Sequence, residues 1–168
     1  ILIGGTIGTL IAIRIEKTAL PQLVAAFHSL VGLAAVFVAA AAFYDPQSFN
    51  IGIKGSIFKS SLVEMSLGTF IGAITFSGSV LAFAKLQGLI SSKPIVFKFQ
   101  HFINALVFLF IITLIFYFVF NQSVAIFWII IIASIILGFL VVVPIGGADM
   151  PVVISMLNSY SGSVSYTH

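Results

Sequence analysis

Four apolar stretches of about twenty residues each, separated by short polar loops, constrain this chain more than any other feature. They fall at residues 22–43, 63–84, 102–120 and 124–143. A helix of that length rises about 30 Å, the thickness of a bilayer's hydrocarbon layer. Only helices and closed barrels satisfy every backbone N–H and C=O at that depth. The composition agrees: 61% of the residues are hydrophobic and 7% charged, and seven basic and four acidic side chains cannot clothe a soluble core. A water-soluble enzyme is therefore excluded, and the absence of cysteine excludes a disulfide scaffold. The expected fold is all-α, a polytopic transmembrane bundle of five to six helices.

The outer segments are shorter. Residues 1–13 are apolar but would rise only about 20 Å. They carry no basic leader and no cleavage site, so a signal peptide is not expected. A sixth segment starts near Met150 and fades after Gly162, where residues 163–168 turn polar. The first and last helices are thus expected to be incomplete, with residues 1–162 as the transmembrane domain and 163–168 as a polar tail.

Basic residues set the orientation. Arg14, Lys17, Lys85, Lys93 and Lys98 fall in loops on one side, against Lys54 and Lys59 on the other. The positive-inside rule makes the first side cytoplasmic. The net charge of +3 is spread over these loops. It forms no basic run or reading motif, so nucleic acid is not expected as a partner.

In lipid, small residues mark the faces where helix backbones approach. Ala25, His28, Gly32, Ala35 and Ala39 recur at helical spacing in the second segment. Gly68, Gly72, Thr75, Ser79 and Ala82 do so in the third, and Ser155, Asn158 and Gly162 in the sixth. Gly32, Gly68 and Gly72 are the expected packing glycines, whereas the fourth segment, FINALVFLFIITLIFYFVF, is bulky all round and reads as lipid-facing. Counting inward from the span ends at 1.5 Å per residue puts His28, Ser79 and Asn158 about 8 to 12 Å below the cytoplasmic side. Three polar groups on small-residue faces are expected at one depth.

Ionisable side chains within spans are costly and often belong to proton or substrate pathways. Histidine exchanges protons near neutral pH, and Asn158 and Ser79 can each donate and accept. On the residues alone two readings of His28 stand: a proton relay, or a hydrogen bond to a neighbouring carbonyl that locks packing. Metal ligation is not expected, because His101 and His168 lie elsewhere and no carboxylate or cysteine sits at ligand spacing. Glu64 is expected either to complement the dipole at the start of the third helix or to pass protons in or out on that face. Asp149, followed by Met150 and Pro151, has the form of a helix N-cap.

The run IGGADMPVVISMLNSYSG (145–162) resembles the membrane domain of the proton-translocating nicotinamide nucleotide transhydrogenases, in their β subunit. LPQLVAAFHSLVGLAAV (20–36), GTFIGAITFSGSVLAFAKLQGLISSKP (68–94) and GGTIGTLIAIRI (4–15) are similar to the same family. The resemblance implies an enzyme that couples hydride transfer between NAD(H) and NADP(H) to proton movement across a bacterial inner or mitochondrial inner membrane. It implies that His28 is central to the proton pathway, with Asn158 and Ser79 beside it, and that Asp149 faces the NADP(H)-binding domain. Implied partners are an α subunit, the NADP(H)-binding domain, the lipid bilayer and a second copy of the complex. The family pattern continues beyond SYSG into a further helix and a nucleotide domain, which residues 163–168 do not follow. NAD and NADP are therefore expected to bind the full complex and not this segment. A truncated, catalytically inactive scaffold or gene relic is the alternative expectation.

Overall fold

The structure, a computed structural model, describes residues 2–14 and 19–165; Lys17 and residues 166–168 of the polar tail lie outside the described residues. Among the described residues six α-helices follow in order: α1 Leu2–Arg14, α2 Leu20–Tyr44, α3 Lys59–Leu86, α4 Gln100–Asn121, α5 Val124–Val142 and α6 Met150–Ser165. Helices α2 to α5 are each long and apolar enough to cross a membrane. The expected helix bundle is what forms. Helix α6 runs three residues past the expected fade at Gly162.

Helix α3 corrects the expected span at both ends. It begins four residues before 63 and ends two after 84, taking in Lys59 and Lys85. The charges at its ends are accommodated instead of ending it. Lys59 places its ammonium 5.1 Å from the ring centre of Phe120, and Lys85 turns inward. Glu64 consequently lies beyond the first turn of α3, so it does not act as an N-terminal dipole acid. Between α2 and α3 the chain also forms a two-stranded hairpin, β1 Gly52–Ile53 with β2 Ser56–Ile57, which was not expected. Gly52 sits at φ +124, and a Cβ there would meet the Ser56 carbonyl at 2.6 Å, so glycine is required.

The helices pack around α3. Helix α2 lies antiparallel to it: Gly32 abuts Gly72 and Phe76, while Gln22 near the start of α2 donates to the Leu86 carbonyl. Helix α5 runs parallel to α3, with Gly138 against Ile74 and Ser77. Helix α4 leans on α5 and is exposed along most of its length, as its bulky sequence led one to expect. At the end distant from Lys85, Phe43, Phe118 and Phe127 form an aromatic cluster with ring centres 5.0 to 5.7 Å apart.

Beside that cluster the α4–α5 turn is tied to the hairpin. Gln122, in the left-handed region, accepts from the Ile57 N–H through Oε1 (3.2 Å) and donates from Nε2 to the Ile57 carbonyl (3.5 Å). Gln122→Ala removes both bonds and is expected to lower stability by about 1 kcal/mol, read by thermal unfolding in detergent.

Helix α6 contradicts the expected small-residue face. Among its described side chains Met150, Ile154 and Leu157 are buried, while Ser155 and Asn158 are exposed. The apolar stripe wins the inward position because Met150 and Ile154 pack with Ala25, Ala82 and Val142 in one cluster, while Leu157 meets Gly78. Asp149 ends the 3-10 turn Gly147–Asp149 that leads into α6, and it is exposed.

Candidate functional site

The site is built on the α2–α3 crossing. A Cβ at Gly32 would lie 2.6 Å from the Phe76 nitrogen and 2.7 Å from the Gly72 carbonyl; one at Gly72 would lie 2.8 Å from the Gly32 carbonyl. The two backbones touch. The buried stripe of α2 is Ala25, His28, Gly32, Val36 and Ala39, so His28 is on the face that meets α3. Val36 joins that stripe and Ala35 lies at its margin.

Antiparallel register then fixes the levels. His28 is one turn before Gly32, and Ser79 is three residues after Phe76, so the two stand about level. Helix α6 supplies the third marker: a Cβ at Gly78 would meet Leu157 at 3.2 Å. Asn158, the next residue, is therefore within about a turn of the same level. The three expected residues share a depth, but they do not share burial. His28 is 6% exposed and Ser79 fully buried, whereas Asn158 lies on the exposed side of α6.

Thr75 joins these residues, although the sequence marks it only as one of a small-residue stripe. It follows Gly72 by three residues on the same stripe as Ser79, and its hydroxyl, like that of Ser79, is buried without a hydrogen-bond partner among the described residues. Buried hydroxyls cost free energy unless a partner satisfies them, so these two are suited to hold water beside the His28 level. The signal in the sequence is a second hydroxyl at helical spacing from Ser79.

Lys85, expected in a loop, stands in the last turn of α3 and is 2% exposed. Its Nζ donates to the carbonyls of Val143 (2.6 Å) and Ile145 (2.7 Å), with Val142 at 3.5 Å. The α5 C-terminus leaves its last carbonyls without helical partners, and a cation there is favoured by the helix dipole. The clue was its spacing: Gly78, Ala82 and Lys85 fall on one helical stripe.

Glu64 borders a groove of about 530 Å³ between α2 and α3, which runs from Phe49 and Ser61 down to Gly32 and Gly72. Its walls are mostly apolar, with Ser61 and Glu64 as the polar exceptions. They suit hydrocarbon or another helix and offer no donor set for a pyrophosphate. Among the described residues no group of three or more His, Asp or Glu side chains could hold a metal ion.

The family model for the NAD(P) transhydrogenase beta subunit matches residues 1–167. Two curated proteins named NAD(P) transhydrogenase subunit beta, both from Rhodospirillum rubrum and one assigned to a specific strain, are 58% identical to this chain over 162 residues. The alignment covers 96% of this chain and 35% of each relative, so the chain spans about a third of their length. A buried histidine on a glycine-packed α2–α3 pair thus sits within a sequence matched almost from end to end: the chain belongs to the NAD(P) transhydrogenase β-subunit family.

Proposed function

We propose that these residues are the proton-conducting membrane portion of a transhydrogenase that couples hydride transfer between NAD(H) and NADP(H) to proton translocation. The observation that carries the reading is His28, buried in the bundle about level with the Ser79 hydroxyl and one turn from that of Thr75, both buried without a hydrogen-bond partner among the described residues. An imidazole can take a proton at one ring nitrogen and release one from the other, and the hydroxyls of Ser79 and Thr75 can each accept and donate. Water held between such groups would relay protons along the α3 stripe. Asn158 joins this relay from α6.

Glu64, in the groove that leads towards Gly32, is the group through which protons enter or leave on its face. The side carrying Lys85, Lys93 and Lys98 is cytoplasmic. Asp149, exposed on that side, meets the NADP(H)-binding domain. The nucleotides are substrates held by parts of the longer protein, and an α subunit and a second copy of the complex complete it in a bacterial inner or mitochondrial inner membrane. Nucleotide state and the protonation of His28 must bias one another equally, because coupling between two binding events is reciprocal.

The reading is tested on the full-length enzyme in sealed vesicles. His28→Ala is expected to stop proton movement while the protein still inserts and assembles. Undiminished pumping would overturn the proposal.

A further inference from the structure

We propose that Lys85 is a positioning residue that joins the Asp149 link to the depth of His28. The inference rests on the proton-relay reading and adds a residue to it.

Three segments meet at this side chain. Its ammonium holds the end of α5 and the following link through the Val143 and Ile145 carbonyls. Its own carbonyl accepts from Ser92 Oγ at 3.0 Å, and the Ser92 carbonyl accepts from the Gly147 N–H at 2.9 Å. A closed ring results: Lys85 to Ile145, along the link to Gly147, across to Ser92 and back to Lys85. A Cβ at Gly147 would come within 2.9 Å of the Ser92 Cβ, so the ring closes only because that position is glycine. Asp149 is two residues beyond it.

The same helix carries the ring to the relay. Ser79 precedes Lys85 by six residues, about 9 Å along α3. Helix α6, which starts where the link ends, touches α3 again at Leu157 against Gly78. The link and the His28 level are thereby two points on one hydrogen-bonded body, and α6 is pinned to α3 at both. A displacement of Asp149 must move the end of α3 or break the Lys85 bonds. Burying an ammonium is costly, and water could satisfy the α5 carbonyls at a membrane surface. A fixed cation with all its donors on carbonyls gives what water does not, a defined distance between three chain segments.

The test uses the full-length enzyme in vesicles and reads protons moved per hydride transferred. Lys85→Met keeps the side-chain length and removes the donors; Lys85→Arg keeps donors. Lys85→Met is expected to lower the ratio about fivefold or more, with hydride exchange in the absence of a gradient held within about twofold, and Lys85→Arg to recover over about half of the ratio. A wild-type ratio in Lys85→Met, or equal loss of both readouts with arginine no better than methionine, overturns the inference. Should Lys85→Met fail to accumulate, Ser92→Ala decides, since it opens the ring while sparing the ammonium: a ratio reduced about twofold supports the role and an unchanged one overturns it. His28→Ala in the same vesicles separates the two ideas. If it pumps, the relay reading fails; if it does not and Lys85→Met does, only the role of Lys85 fails.

Discussion

Gly32→Leu will leave little folded protein in the membrane. The added Cβ alone would fall 2.6 Å from the Phe76 nitrogen and 2.7 Å from the Gly72 carbonyl, which are backbone atoms and cannot swing aside. Relief requires α2 and α3 to separate. That separation would open the longest helix pairing of the bundle and the stripe from Ala25 to Ala39. Overpacking usually costs 1–3 kcal/mol, and a clash between two backbones belongs at or above about 4 kcal/mol. Gly72→Leu meets the Gly32 carbonyl at 2.8 Å and should behave alike. The control is Gly8→Ala in α1, where nothing lies within 4 Å of the new methyl and a helix former replaces glycine. Accumulation and thermal unfolding in detergent should show the first two variants strongly depleted and the control at or above wild type. Normal levels of Gly32→Leu would mean that the α2–α3 crossing is wrong.

These glycines also show what was legible beforehand. Small residues at three- and four-residue spacing have one strong use in lipid, close backbone approach, so the α2–α3 pair could be read directly. The same rule misled for α6. Its sequence offers two stripes about one residue apart, Met150–Ile154–Leu157 and Ser155–Asn158, and the larger apolar side chains took the interior. Periodicity gives a helix its faces, and the neighbours decide which one turns inward. The ends of α3 were hidden for a different reason. A hydropathy window treats every charge as a stop, yet Lys59 is received by the Phe120 ring and Lys85 by the α5 carbonyls. Both partners lie far away in the sequence. The inward placement of His28 was legible because it lies at helical spacing among small residues. The placement of Lys85 was not, because it depends on three carbonyls brought by the end of α5 and the link that follows it.

His28→Ala should abolish proton movement and spare the scaffold, and the contrast with Gly32→Leu is what makes it informative. Alanine is the best helix former and fits a position that lies between Ala25 and Gly32 on the buried stripe. The side chain it removes is the one titratable group on the buried stripe of α2. Positioned acid–base groups contribute factors of 10² to 10⁴, so proton movement per enzyme should fall at least about a hundredfold. Ser79→Ala deletes one relay partner and leaves Thr75, and it should cost about tenfold. Free imidazole added to His28→Ala vesicles separates chemistry from packing, because it can enter the vacated space and restore part of the flux without repairing any helix contact. If imidazole restores nothing and His28→Ala also loses thermal stability as Gly32→Leu does, the histidine is a packing residue. The relay would then have to be sought along the remaining polar groups of α3.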